Sequence, residues 1–184
     1  MKQYRELELI ALKYIEDNIR FLDNNDFEAF YGNMDDVPDI VKSRISSMLL
    51  QSEINPLLYL ESIPEGFLKY ADRFEDFHLT DFVIPDNIRE IGINSFYKAG
   101  LTGSLTLPAA LEDISSNAFG NNYIKSLDLS RCKHSLNFPM SSFIYNSFLE
   151  YILLPAPDIA ITFREGSFEQ CSKLKQLIYP GTKA

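Results

Sequence analysis

The chain has 184 residues, 46% of them apolar and 13% aromatic, enough for the buried core of one or two small domains. Its 26 acids against 17 bases give a net charge of −9, which argues against direct nucleic-acid binding, since that needs Lys and Arg to neutralise phosphates. No apolar run approaches the roughly 18 residues of a membrane span, and Met1-Lys2-Gln3-Tyr4-Arg5-Glu6 puts charge where a signal peptide needs apolar residues. With two cysteines, Cys132 and Cys171, and no Asn-x-Ser/Thr acceptor, the chain is expected to be a reduced, cytoplasmic protein that does not contact membrane.

The first half reads as helical. From Gln3 to Leu22 the apolar residues Tyr4, Leu7, Ala11, Leu12, Ile15, Ile19 and Leu22 recur at three- and four-residue steps, predicting an amphipathic helix. A short second helix is predicted from Asp26 to a stop at Gly32. A third begins with Asp36 as N-cap and Pro38 in the first turn, and carries Val41, Ile45, Met48 and Leu49 on one face. Asn55-Pro56 repeats that start signal for a brief helix holding Leu57, Leu58 and Leu60. These elements are too short to stand alone and are expected to pack as a cap, residues 1–75, on the remainder of the chain.

Beyond residue 75 three ladders replace the helical period. The phrases Phe82-Val83-Ile84-Pro85, Leu105-Thr106-Leu107-Pro108, Leu127-Asp128-Leu129-Ser130, Ile152-Leu153-Leu154-Pro155 and Leu177-Ile178-Tyr179-Pro180 are spaced by 23, 22, 25 and 25 positions. The pairs Ile91/Phe96, Ile114/Phe119, Phe138/Phe143 and Phe163/Phe168 advance in step with them. Leu79, Leu101, Ile124, Leu149 and Leu174 precede each first anchor by three residues, or by four in the second coil. Periods of this length mean a solenoid, because one such unit cannot close a core and must stack its apolar positions on its neighbours. The fold class is therefore α+β, a helical N-terminal cap followed over residues 76–184 by a solenoid of about five coils with a parallel, concave β-sheet. The third coil, with Ser130 in place of proline and the stretch Arg131-Cys132-Lys133-His134, is expected to be irregular on its convex side.

These ladders resemble the BspA-like, bacterial surface-antigen type of leucine-rich repeat. The match is fullest in Ile84-Pro85-Asp86-Asn87-Ile88-Arg89-Glu90-Ile91-Gly92-Ile93-Asn94-Ser95-Phe96 and in Phe168-Glu169-Gln170-Cys171-Ser172-Lys173-Leu174. The front half, ending in Asn55-Pro56-Leu57-Leu58-Tyr59-Leu60 and Ile63-Pro64, also looks like the cap of short repeat proteins carried by tailed bacteriophages, which would place the chain in the host cytoplasm. The first resemblance implies an interaction protein rather than an enzyme.

Candidate chemistry is sparse. His78 and His134 have no Cys or acid pair at ligand spacing, so no metal or cofactor is expected. Cys171 stands where the repeat places a small buried residue, whereas Cys132 lies beside Arg131, Lys133 and His134, a setting able to lower a thiol pKa. Asp23-Asn24-Asn25-Asp26-Phe27-Glu28 fails as a calcium loop, with Phe27 fifth and Glu28 sixth where an oxygen ligand and a glycine are needed. Gly181-Thr182-Lys183 lacks the lead-in of a phosphate loop. No catalytic set emerges.

Binding surfaces are better marked. In each repeat strand the residue before the first anchor and the one after it should face outward. In order these are Asp81/Val83, Ser104/Thr106, Ser126/Asp128, Tyr151/Leu153 and Gln176/Ile178. Tyr151, Leu153 and Ile178 should then form an apolar patch rimmed by Gln176, Ser126 and Asp128, the expected contact surface for a protein partner. Two other readings remain open. The acids Asp23, Asp26, Glu28, Asp35, Asp36 and Asp39 form a patch suited to a basic, nucleic-acid-binding protein of a host cell, for which the chain would be a decoy or inhibitor. The fifth strand, with no capping coil after Pro180, offers an edge for a structural homo-oligomer.

Overall fold

The computed structural model describes residues 39–51, 55–58, 60–73 and 77–180. The first two predicted helices lie outside them. Helix α1, Asp39–Gln51, is the third. Its Ile45 and Leu49 are buried and join the single core of the molecule, while α1 touches the 3-10 turns Pro56–Leu58 and Ala71–Arg73. The start signal at Asn55 acts as expected, its side-chain oxygen accepting from the Leu57 amide at 3.0 Å.

The remainder is a solenoid with two lines of parallel strands joined by corner turns. The front sheet contains β2 (Leu79–Thr80), β4 (Leu101–Thr106), β6 (Tyr123–Asp128), β8 (Tyr151–Leu153) and β10 (Gln176–Ile178), adjacent in that order. On the back lie β1 (Ser62–Ile63), β3 (Glu90–Ile91) and β5 (Asp113–Ile114) in one sheet, and β7 (Leu136–Phe138) with β9 (Ile161–Phe163) in another. The back ladder thus breaks between β5 and β7, the coil whose convex side was expected to be irregular. It also starts earlier than the pattern beyond residue 75 suggested: Ser62 pairs with Glu90 and Ile63 with Ile91, so stacking begins inside the segment read as cap.

The front register follows the sequence ladder. Leu105 pairs with Leu127, Leu127 with Ile152 and Ile152 with Leu177. The extra residue of the second coil is accommodated by a register shift between Gly103 and Ser104. Gly103 has φ +69°, and a Cβ there would come within 2.3 Å of the Asp81 carboxylate, which accepts from the Ser104 amide at 2.7 Å. Asp81 itself takes φ 51°. Consequently Phe82-Val83-Ile84 does not form the continuous strand expected of it, and only Val83 bridges to Thr106.

The corners make the stack. Each contains two left-handed residues four apart: Gly66 and Tyr70, Asn94 and Lys98, Asn117 and Asn121, Ser141 and Tyr145, Gly166 and Gln170. Glycine and asparagine are favoured where φ is positive, which accounts for the small or polar residue before each buried Ser/Ala-Phe pair. The amides of Phe96, Phe119 and Phe143 donate to the next coil at Ala118, Ser142 and Ser167, over 2.7, 2.8 and 2.9 Å. Their rings stack at centroid separations of 5.0 Å for Phe96–Phe119, 5.0 Å for Phe119–Phe143 and 5.3 Å for Phe143–Phe168. Three residues beyond each ring, Asn122 donates to the carbonyls of Phe96 and Phe119, Asn146 to those of Phe119 and Phe143, and the Cys171 thiol to that of Phe143. The column satisfies the Phe119 and Phe143 carbonyls, which take no backbone amide among the described residues, and adds a second donor to that of Phe96, already paired with the Ala99 amide.

At the last described coil the repetition stops and the core shows. Leu177, expected to be buried, is 48% exposed because β10 has a neighbour on one side only. Its ladder equivalents Leu105, Leu127 and Ile152 are at most 1% exposed.

Phe119 sits between two stacked rings with no room to collapse around a deletion, so Phe119→Ala should cost about 3–5 kcal/mol in denaturant unfolding. Gly103→Ala should cost about 1 kcal/mol or more, since it adds strain at positive φ to a clash with Asp81. Val83→Ala, at an exposed position, should change stability by less than about 0.5 kcal/mol.

Candidate interaction surface

The outward residues of the front sheet line up across coils. Ser104, Ser126, Tyr151 and Gln176 form one row, and Thr106, Asp128, Leu153 and Ile178 the next. The structure thus brings Leu153 and Ile178 side by side, with Tyr151 in the adjoining row. All three are half-buried and Gln176 is exposed. At the other end of the same sheet the outward residues are mostly polar, with the exposed Val83 the exception beside Thr106, and the Thr80 and Thr102 hydroxyls lie 2.8 Å apart.

One of the six expected contact residues needs correction. Ser126 is 5% exposed, because its short side chain lies in the interior of the sheet between Ser104 and Tyr151 of the flanking strands. Asp128 is half-buried, and its carboxylate accepts from the Ser130 amide at 2.8 Å. That bond explains the missing proline of the third coil: serine brings an N–H that proline would lack, and Asp128 satisfies it.

The sequence reading missed an aromatic pair at the margin of the patch. Tyr123 and Phe148 are 50% and 41% exposed, with ring centroids 6.1 Å apart, and the Lys173 ammonium lies 4.7 Å from the centre of the Phe148 ring. Each precedes a ladder residue, the buried Ile124 or Leu149 or the half-buried Leu174, by one position. Reading outward neighbours from that ladder as well as from the strand phrases would have found them.

The acidic patch cannot be placed in the same way. Asp23, Asp26, Glu28, Asp35 and Asp36 lie outside the described residues, and Asp39 is the first residue of α1.

The cysteines are structural. Cys132 is 4% exposed, and its amide closes a turn onto the Leu129 carbonyl at 3.0 Å, matching the turns that bury Ile88 and Leu111 in the preceding coils. Burial first, and the Asp128 charge second, push its thiol up to about 12, outweighing the lowering by Arg131. The lowering that its basic neighbours could have produced is thus outweighed by burial. Burial likewise pushes Cys171 up to about 11. Beside Cys132 the surface forms an open groove edged by Asp86, Arg131, Lys133 and Asp158, in which Arg131 ion-pairs with Asp86. Among the described residues no group of three His, Cys, Asp or Glu could hold a metal ion, and no helix is long and apolar enough to cross a membrane.

Parallel front strands, stacked corner phenylalanines and a shared core across coils define a leucine-rich-repeat solenoid. A family model described as "BspA type Leucine rich repeat region (6 copies)" matches residues 70–184, and the chain belongs to that family. Comparison with curated proteins and with solved structures finds no match.

Both thiols should stay unmodified by a thiol reagent at neutral pH until the chain unfolds. Between the ordinary thiol value and about 11 to 12 the native state retains protons that the unfolded chain has lost, so stability should fall as pH rises through that window. Denaturant unfolding at a series of pH values checks this: Cys132→Ala should flatten the alkaline decline.

Proposed function

We propose that this chain is a non-enzymatic protein-interaction module that binds its partner on the last three strands of the front sheet. The observation that supports this most is the register, which sets Leu153 against Ile178 with Tyr151 beside them. Leucine-rich repeats generally mediate protein–protein contacts, and adjoining half-buried apolar side chains at a sheet's outward face are suited to burial by a partner. Tyr151 brings a rigid ring at low entropic cost, and Leu153 and Ile178 fill area beside it. Both cysteines are free and buried, which accords with work in a reducing compartment.

A second reading rests on the exposed core at the last described coil. Leu177 and the half-buried Phe163 line two grooves there, and β10 presents an unpaired backbone edge among the described residues. Two copies meeting edge to edge would cover it.

Leu153→Asp with Ile178→Asp should abolish capture of the partner recovered with the native chain while leaving the melting transition in place; unchanged capture contradicts the front-sheet site. The second reading predicts a dimer by light scattering at high micromolar concentration that Leu177→Asp disperses, and a monomer at that concentration contradicts it.

A further inference from the structure

Charge is unevenly distributed along the stack. Residues 1–119 hold 21 acids and 10 bases, whereas residues 120–184 hold 5 acids and 7 bases, so a strongly acidic chain ends in a mildly basic third. Part of that basic charge lies on the front strands. Lys125 is within β6, Lys175 immediately precedes β10, and both are exposed. Among the described residues neither has an ion-pair partner within 4 Å. Glu150 stands between them in the backbone ladder, its amide donating to Lys125 and its carbonyl accepting from Lys175, at 2.8 and 3.0 Å. Asp128, the other acid of this region of the sheet, has its carboxylate occupied by the Ser130 amide. Lys173 is held over the Phe148 ring.

We infer that the segment docking on the last three front strands is an acidic peptide with aromatic or aliphatic anchors. This inference rests on the front-sheet reading and adds the chemistry of the partner to it. Tyr123, Phe148, Tyr151 and Leu153 supply the apolar floor, where anchors are buried and most of the affinity arises. Lys125 and Lys175 stand on either side of the exposed Glu150 in the row between Tyr123/Phe148 and Tyr151, with Lys173 over the Phe148 ring, so three lysines outnumber that acid across the surface. Opposite charge on a partner speeds encounter and fixes register more than it adds strength. Aromatic rings among lysines also suit single-stranded nucleic acid. A long polyanion running along the stack would meet the acids of the earlier coils, Asp81, Asp86, Glu90, Glu112 and Asp113, whereas a short acidic peptide confined to the last three strands would not.

The test is a selection of short random-sequence peptides on the immobilised full chain, followed by affinity measurements. Enriched peptides should carry net negative charge with at least one aromatic or aliphatic anchor. They should bind Lys125→Glu/Lys175→Glu roughly tenfold more weakly and lose affinity as salt rises. Both lysines are exposed, so the charge-reversed protein should keep its circular dichroism spectrum and melting transition. Leu153→Asp distinguishes a wrong partner chemistry from a wrong site. Neutral or basic peptides that Leu153→Asp no longer binds would overturn the acidic partner and leave the front-sheet site standing. Peptides that bind Leu153→Asp unchanged would overturn the site itself. An empty selection, or a short single-stranded RNA that binds the chain and is lost on charge reversal, would also overturn the inference.

Discussion

The stacking of identical corners holds the molecule together. No coil can bury its own Leu, Ile and Phe residues, so each depends on the coil above and below, and a parallel stack requires the neighbours to repeat at nearly the same height. Ring separations of 5.0, 5.0 and 5.3 Å show that spacing maintained in side chains as well as in backbone. The left-handed pair in each corner turns the chain sharply enough for the phenylalanine amide to reach the next coil, and the Asn122, Asn146 and Cys171 column donates to the Phe119 and Phe143 carbonyls, which no backbone amide among the described residues reaches. Gly92 meets the same constraint, since a Cβ there would lie 2.8 Å from the Ile63 carbonyl oxygen.

From that constraint the outward face acquires its freedom. Inward positions are fixed in size and kind by their neighbours, while outward residues of the front strands affect little but the surface they present. Thr80 and Thr102 at one end and Leu153 and Ile178 at the other occupy the same kind of strand and differ only in what they offer to a partner. Lys125 and Lys175, on and beside the strands of that end, add a difference in charge to the difference in outward side chains.

Much of this was legible in the sequence because a solenoid writes its period three times over. The strand phrases set the front register, the Ile/Phe pairs set the back strands and corners, and the one disagreement, a third residue between Leu101 and Leu105 where the other coils have two, marks the shift at Gly103. What escaped depends on neighbours outside the repeat unit. Ser126 is covered because it is short and central, and Leu177 is bare because nothing stacks beyond it among the described residues. The flanking charges of Cys132 could lower its thiol pKa, yet its turn carries it inward like Ile88 and Leu111, where desolvation dominates. The early start of the back ladder at Ser62–Ile63 was hidden because Leu68 replaces phenylalanine and the interval to the next coil is longer.

Hydrogen exchange at the Phe96, Phe119 and Phe143 amides tests the stacking of corners most directly. These amides lie in turns, outside every helix and strand, yet each donates to the neighbouring coil. They should therefore exchange as slowly as the amides of the central strands β4 and β6, opening only with cooperative unfolding of the stack. Exchange at the rate of exposed loop amides while β4 and β6 remain protected would contradict it.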